Sequence, residues 1–435
     1  MELPGPPQTV SGGGVSNRPA SPPRSSPAEP ERTDFAGYWV RSWQRPLDAT
    51  AEQAIVPEGR PAVGQSPVVL VQSAQVDVCD RRTGEVRWSA AADRPVLWAG
   101  YDTDRLLWAT AEELCAAALD TGQWLYRLPW RSELRRNHPR GLAPAAAAGL
   151  RILQQDEVVI LADETLGLLA CDRRSGEILW RRQTPVSLDT LAAGGRLVAW
   201  HPGGRGRAEW RSQATGQLVF SDPSPTDCWQ RAPVWSSRDE AAVVVDGGGR
   251  LVSWSATGTP RWEPTDPGAH AHAAPWVFNA RERWYAVLDG RTLVQLRDDG
   301  SQAWSAPLAA MPLTDPPRQL AVSAESVIAA GGGEARCLDL NDGHTQWQRA
   351  LTDLQPQRIA LVGNDAILLP VAPQSPLMAV ELISMQTGQP RQRIRLPKPG
   401  RQVRIASDDA GWLLATDAAL IAFTPQTSVR LAQDR

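Results

Sequence analysis

The sequence predicts an all-β fold, namely an eight-bladed β-propeller built from four-stranded antiparallel blades. Two observations support this prediction. First, a glycine that follows Thr, Ser or Asp, with an aromatic residue four positions later, recurs about every 42 residues. Second, short runs rich in β-branched residues alternate with turn residues between these motifs, which is typical of strands joined by hairpins. A fixed period of this length indicates a propeller or a solenoid.

The motif occurs eight times. Its complete copies contain Gly84 with Trp88, Gly176 with Trp180, Gly258 with Trp262, Gly300 with Trp304, and Gly343 with Trp347. Weaker copies contain Gly122, Gly216 and Gly388, followed at the aromatic position by Tyr126, Phe220 and Gln392. The glycine allows the positive φ angle that a tight turn requires, and the aromatic ring offers a flat surface to the adjacent blade. We therefore expect structural roles for these residues.

The chain divides into a tail and one domain. Residues 1–34 are dominated by Pro, Gly and Ser, and their low apolar content predicts disorder. The aromatic segment 35–43 is predicted to be a strand. Modules begin near residue 64, and the first contains predicted strands at 68–71, 75–79 and 86–88. A further candidate strand lies upstream of the paired strands in each module, which gives four strands per module.

The two ends of the propeller are predicted to meet. Residues 411–416 and 420–423 form one more strand pair after the eighth motif, and the aromatic segment 35–43 could pair with it. Counting this composite unit would give nine blades, which exceeds the usual maximum of eight. We therefore predict eight blades in a single domain over residues 35–430, closed by its terminal strands. The longest gap between motifs predicts an insertion around residues 130–148.

Charge and hydropathy exclude several classes of partner. The 435-residue chain has a formal net charge of −3, so no overall field attracts nucleic acid. No apolar run reaches the length that a membrane-spanning helix needs, so no membrane segment is expected. The first residues show no basic region followed by an apolar one, which predicts a cytoplasmic location.

The cysteines are predicted to be small buried apolar residues. They are five in number, namely Cys79, Cys115, Cys171, Cys228 and Cys337. Four of them precede a repeat glycine by five to seven residues and would therefore lie in different blades. This arrangement does not favour a disulfide or a metal site.

Arginines recur just before or within the predicted innermost strands, at Arg140, Arg231, Arg318, Arg358 and Arg404. If these strands line the central channel, the side chains could form a ring at one mouth that binds an anionic ligand or an acidic peptide. The alternative is that they are solvated strand ends. His272 is a further candidate ligand-binding residue. His270 and His272 would share one face of a strand. No third metal ligand accompanies them, so no metal site is predicted.

The segments 79–88 and 171–180 resemble the repeat of pyrroloquinoline-quinone enzymes, in which a small apolar residue and Asp precede Thr-Gly and a Trp. The resemblance covers about residues 64–425 and implies an eight-bladed propeller. The Asp is present only at Asp80, Asp172 and Asp339. Quinoprotein dehydrogenases of this family carry two adjacent cysteines above the quinone and a Ca²⁺ site. This chain has no adjacent cysteine pair and no matching calcium ligands, so no cofactor and no catalytic residues are predicted.

The same repeat also occurs in non-catalytic assembly and scaffold proteins. The sequence therefore favours a non-enzymatic binding or scaffold module, with a protein or small-molecule partner on a ring face or in the channel. Two alternatives stay open: a degenerate quinoprotein oxidoreductase and a ligand-sensing propeller. Propeller function depends on variable surfaces carried by a shared frame.

Overall fold

The structure is a computed structural model and describes residues 39–46, 53–55, 67–101, 104–136, 149–202, 207–222, 229–236, 241–265, 275–311, 319–351, 356–370, 377–397, 404–408, 411–416 and 419–425. These residues form nine four-stranded antiparallel sheets, which we call blades 1 to 9. The predicted propeller class is confirmed, but the predicted count of eight blades is wrong. The predicted tail, residues 1–34, lies outside the described residues.

Blades 1 to 8 each consist of four consecutive strands, whereas the first strand of the chain, β1 (Trp39–Pro46), belongs to blade 9. Blades 1 to 3 contain, in order, β2 (Gln53–Ile55), β3 (Val68–Gln72), β4 (Gln75–Cys79), β5 (Val86–Ala91); β6 (Val96–Tyr101), β7 (Arg105–Thr110), β8 (Leu114–Ala118), β9 (Trp124–Leu128); β10 (Leu150–Gln154), β11 (Val158–Asp163), β12 (Gly167–Asp172) and β13 (Ile178–Arg182). Blades 4 to 6 contain β14 (Ala192–Gly194), β15 (Leu197–Trp200), β16 (Glu209–Ser212), β17 (Leu218–Ser221); β18 (Val234–Ser236), β19 (Ala241–Val245), β20 (Leu251–Ser255), β21 (Pro260–Thr265); β22 (Trp276–Ala280), β23 (Arg283–Leu288), β24 (Thr292–Leu296) and β25 (Gln302–Pro307). Blades 7 to 9 contain β26 (Leu320–Val322), β27 (Ser326–Gly331), β28 (Glu334–Asp339), β29 (Thr345–Ala350); β30 (Pro356–Val362), β31 (Asp365–Pro370), β32 (Leu377–Ser384), β33 (Pro390–Pro397); β34 (Arg404–Asp408), β35 (Gly411–Ala415) and β36 (Ala419–Pro425).

The first strand of each blade lies nearest the axis of the ring. First strands of neighbouring blades contact one another, as β2 does with β6, β6 with β10, and β18 with β22. The last contact of this kind, between β34 and β2, joins blade 9 to blade 1. The fourth strand of each blade is therefore the outer one, and the ring is closed.

Packing between blades confirms the closure. Nine apolar clusters fill the spaces between neighbouring blades, and each draws residues from both of them. At the junction of blades 9 and 1, Val68 and Leu70 pack with Leu413 and Leu420, all of them inaccessible to solvent. Burying one such side chain contributes about 1.5–3 kcal/mol. The closing interface is therefore built like the others.

Blade 9 combines both ends of the chain. Strand β1 pairs with β36 from Trp39 opposite Pro425 to Pro46 opposite Ala419, with a register shift between Arg41 and Trp43. The sequence predicted this pairing but did not count the unit as a blade. It is a full blade because it has two apolar faces, and each needs a neighbour: Trp412 and Phe423 pack against blade 8, while Leu413 packs against blade 1.

The repeat motif connects several pairs of neighbouring blades. All eight repeat glycines have φ angles between +67° and +83°, as predicted. The ring of Trp180, at the start of the outer strand of blade 3, lies over Gly216 in blade 4, and its Nε1 donates a 2.6 Å hydrogen bond to the carbonyl oxygen of Gln213. The same inter-blade bond joins Trp88 to Leu119, Tyr126 to Arg173, Trp304 to Asn341, and Trp347 to Met385. Trp262 lies buried between blades 5 and 6.

The exception at Gln392 has a structural explanation. An aromatic residue at this position in blade 8 would need a glycine turn in blade 9 to dock on. Blade 9 has no such turn, because β36 ends at Pro425 and its outer strand comes from the other end of the chain. The absence of an aromatic residue at position 392 is therefore explained by the composite structure of blade 9.

One helix was not predicted. Helix α1 (Trp130–Arg135) lies within the predicted insertion and buries Trp130 and Leu134 between blades 2 and 3. Its Arg131 forms a buried 2.9 Å ion pair with Asp163 at the end of β11. Residues 137–148, the rest of the insertion, lie outside the described part of the chain. The helix therefore contributes to the interface between blades 2 and 3.

Four cysteines are buried free thiols, as predicted, and Cys228 lies outside the described residues. Loss of hydration on burial raises the pKa of Cys79, Cys115 and Cys337 from 9.0 to about 11, and that of Cys171 to about 12. The folded protein therefore holds these thiol protons more tightly than the unfolded chain does.

This difference predicts loss of stability in alkali. The contribution of the thiols is fully present below about pH 9, the unfolded pKa, and is lost as the pH rises through the folded values. We expect the urea midpoint to fall between about pH 8.5 and 11. A variant with alanine at Cys79, Cys115, Cys171 and Cys337 should be less stable overall but should lose less stability over the same interval. Equal losses in the two proteins would contradict the prediction.

Candidate functional site

The outer strands of blades 1 to 4 expose large apolar side chains. Seven large apolar residues are exposed among those that the structure describes, and six of them lie on these four strands with 40–49% of their surface accessible. We call these six residues the apolar rim: Val86, Trp124, Leu125, Leu179, Leu218 and Val219. Scattered exposed apolar residues are normal in folded proteins, but their concentration on one arc of a ring is not.

The other half of the ring differs at equivalent positions. The apolar rim occupies the second and third residues after a repeat glycine, where blades 1 to 4 have Val86-Arg87, Trp124-Leu125, Ile178-Leu179 and Leu218-Val219. Blades 5 to 8 have Pro260-Arg261, Gln302-Ala303, Thr345-Gln346 and Pro390-Arg391 there. Both halves form the same hairpins and the same blades. The fold therefore does not require apolar residues at these positions.

Contacts between blades bring together the outer strands that carry the apolar rim. The ring of Trp88 lies over Gly122, two residues before Trp124, and the ring of Trp180 lies over Gly216, two residues before Leu218. The start of each outer strand thus touches the outer strand of the preceding blade. These strands are also the outer edges of their sheets. The residues of the apolar rim therefore lie on the outer strands of four consecutive blades.

Trp124 is the largest residue of the apolar rim and is held in place. Its ring lies 5.1 Å from that of the buried Trp108, and the Arg127 guanidinium lies 5.3 Å from its centroid. Arg127 in turn forms a 2.6 Å salt bridge with Glu113. A half-exposed aromatic ring fixed in this way loses little entropy when a partner covers it.

Charges beside the apolar rim are paired. Arg87 lies 2.6 Å from Asp80, and this hydrogen bond holds the pKa of the Asp80 carboxyl below its usual value. Arg181 lies 3.3 Å from Glu133, and Arg182 lies 3.3 Å from Glu209. Because these charges are compensated within the chain, the rim presents apolar area rather than a field of one sign.

A separate cavity of about 390 Å³ lies at the inner strands of blades 3 to 6. We call it the arginine cavity, and its lining residues are Arg151, Asp189, Arg231, Ala232, Pro233, Val234, Val243, Val245, Trp276 and Val277. Arg151 belongs to β10, and its Nη1 donates a 2.6 Å hydrogen bond to the carbonyl oxygen of Leu188. Arg231 lies three residues before the start of β18, and Trp276 begins β22.

Three of the five arginines of the predicted ring lie in the described part of the chain. Arg231 lines the arginine cavity, Arg358 lies half-buried in β30, and Arg404 begins β34. Arg140, Arg318 and both predicted histidines, His270 and His272, lie outside the described residues. Arg151 was missed, although it stands near the start of an inner strand, as Arg358 does. The ring itself therefore stays a prediction.

No cluster of three or more His, Cys, Asp or Glu side chains in the described part of the chain is arranged to hold a metal ion. Within the same residues, no helix combines the length and the apolar character that crossing a membrane requires.

Comparisons place the chain among known repeat proteins. A family model described as outer membrane protein assembly factor BamB matches residues 36–189 and 193–428. Similar solved structures include BamB from Moraxella catarrhalis, with 14% identity over 89% of this chain and 100% of that chain and a TM-score of 0.49. The computationally designed Ika8 protein has 13% identity over 74% and 95%, with a TM-score of 0.49. The C-terminal WD40 domain of Sif2 has 11% identity over 75% and 94%, with a TM-score of 0.47. A search of curated proteins finds no match.

Proposed function

The chain belongs to the BamB-like family of β-propellers with pyrroloquinoline-quinone-like repeats, and from this premise we propose that it is a scaffold that binds a protein partner through the apolar rim. The observation that carries the proposal is the concentration of exposed large apolar residues on the outer strands of blades 1 to 4, where six of the seven described ones lie. The family description, an outer membrane protein assembly factor, supports a protein as the partner.

The shape of the apolar rim supports a macromolecular partner. Small ligands bind in concave sites that enclose most of their surface. The apolar rim instead follows the outside of four consecutive blades, where a partner can cover several strands at once. Burial contributes about 25 cal/mol per Å² of apolar surface, so contact with several of these side chains is needed for stable binding.

The anchor of this interface is expected to be Trp124. Binding energy in protein interfaces is concentrated in a few aromatic or arginine side chains that lie in well-packed surroundings. Trp124 meets this description because Trp108 supports it from below and Arg127 covers part of its ring. The compensated charges nearby favour a partner with a complementary apolar face.

A site-specific photo-crosslinking experiment tests the proposal. A benzophenone amino acid is placed at Leu179 or Leu218 in the apolar rim, or at the matched positions Gln302 and Gln346 in blades 6 and 7. After irradiation in the native host cells, we expect discrete adducts to another protein from the first pair and none from the second pair. Mass spectrometry then identifies the attached protein.

A variant separates binding from folding. Trp124→Gln in the crosslinking background should reduce adduct formation at least about tenfold, because an interface anchor contributes 2 kcal/mol or more. Loss of its contact with Trp108 should cost about 0.5–1.5 kcal/mol of stability, so circular dichroism at the assay temperature checks that the variant is folded. Equal adducts from both halves of the ring, or adducts insensitive to Trp124→Gln, would contradict the proposed function.

A further inference from the structure

We propose that the arginine cavity is a binding site for a small carboxylate with an apolar body. This inference goes beyond the scaffold function, because it concerns the inner strands rather than the outside of the ring. It rests on the cavity's position, charge, size and wall composition.

The cavity lies beside the inner strands of the ring. Its walls include residues of the first strands of three blades, namely Arg151 of β10, Val234 of β18 and Trp276 of β22, together with Val243 and Val245 of the second strand β19. First strands lie nearest the axis, so these three residues place the cavity near the channel. Asp189 is contributed by a single 3₁₀ turn, η1 (Leu188–Thr190), which precedes blade 4.

The charges favour a carboxylate. Arg151 and Arg231 line the cavity together with Asp189, so the charged residues of the described lining carry a formal charge of +1. Guanidinium groups bind carboxylates through two parallel hydrogen bonds. The bond from Arg151 to the Leu188 carbonyl oxygen fixes its guanidinium beside the turn that carries Asp189. A ligand with a hydrogen-bond donor near its carboxylate could also be bound by Asp189.

The remaining walls favour an apolar body. Val243, Val245 and Val277 line the cavity and are at most 3% exposed, and the ring of Trp276 adds an aromatic wall. A volume of about 390 Å³ falls within the range of small-molecule sites, roughly 300–1,000 Å³. Apolar walls also lower the local dielectric constant, which strengthens the attraction between a guanidinium and a bound anion. An inorganic anion would leave these walls uncovered.

Calorimetric titration of the full chain with matched pairs of probes tests this assignment. The probes are N-acetyl-phenylalanine and N-acetyl-leucine, each compared with its neutral amide. We expect at least one acid to bind and its amide to bind at least tenfold more weakly. Arg231→Gln should weaken binding of the acid at least tenfold, whereas the matched surface variant Arg82→Gln should leave it unchanged. Arg151→Gln provides a second cavity variant, and near-ultraviolet circular dichroism checks that each variant is folded.

Several results would overturn the assignment. Equal binding of acid and amide on the unmodified chain would show that the arginines do not recognise the carboxylate, and this comparison needs no variant. Failure of both acids to bind at about 1 mM would exclude the proposed ligand class. Competition by inorganic phosphate that is as strong as that by the acids would show that the apolar walls contribute nothing. Retained binding in both arginine variants would place the ligand elsewhere.

Discussion

Deletion of residues 1–47, which removes β1, should lower the free energy of unfolding by roughly 5 kcal/mol. Seven residue pairs join β1 to β36, and each backbone hydrogen bond of such a ladder contributes about 0.5–1.5 kcal/mol net. Arg45 also lies 3.5 Å from the buried Asp77 in blade 1. The deletion would remove this guanidinium from the Asp77 carboxylate. Urea unfolding monitored by tryptophan fluorescence measures the change.

A shorter deletion is the control for this experiment. Removal of residues 1–34 keeps β1 and should change the free energy of unfolding by less than about 0.5 kcal/mol, because this segment is predicted to be a disordered tail. A synthetic peptide of residues 37–47, added to the longer deletion, should restore part of the lost stability. Equal stability of the two deletions would show that β1 does not close the ring.

Gly216→Ala should destabilise the protein by about 3 kcal/mol. Its φ angle of +67° lies in the left-handed region, where a residue with a Cβ atom costs roughly 1–2 kcal/mol. The added Cβ would also lie 2.6 Å from Cγ of Trp180, so the indole must move. That movement breaks its hydrogen bond to Gln213, which costs about 1 kcal/mol or more.

Gly249→Ala provides the matched control. Gly249 has a φ angle of +80°, but nothing lies within 4 Å of the position that its Cβ would occupy. It should therefore show only the backbone cost. Thermal and urea unfolding of both variants measure the difference, which we attribute to the contact between blades 3 and 4. Similar losses for the two variants would mean that docking of Trp180 on Gly216 contributes little.

The propeller class could be predicted because its requirements are local and repeated. A positive φ angle at each turn selects glycine, and the inter-blade contact selects an aromatic residue four positions later, so the pattern recurs along the chain. The blade count was wrong because closure is not local. Strands β1 and β36 are separated by most of the chain, and only the apolar faces at Trp412 and Leu413 show that their unit needs two neighbours.

The candidate sites were harder to predict from the sequence than the fold. Residues of the apolar rim look like ordinary strand residues until the fold shows that they lie on outer strands and are exposed. The arginine cavity combines residues 151, 189, 231 and 276, which belong to successive blades and share no motif. Arg231 was found because it precedes a predicted inner strand, whereas Trp276 and Asp189 gave no recognisable signal.

A disulfide trap between the two ends of the chain tests the closed nine-bladed ring most directly. Val40 and Thr424 face each other in the register of β1 and β36. The double variant Val40→Cys, Thr424→Cys should form an intramolecular disulfide under mild oxidation, identified by mass spectrometry of the linked peptides. Val40→Cys with Gln348→Cys, on the outer strand of blade 7, should not. Absence of the first link in the folded monomer, or equal linking in both variants, would contradict closure of the ring by β1.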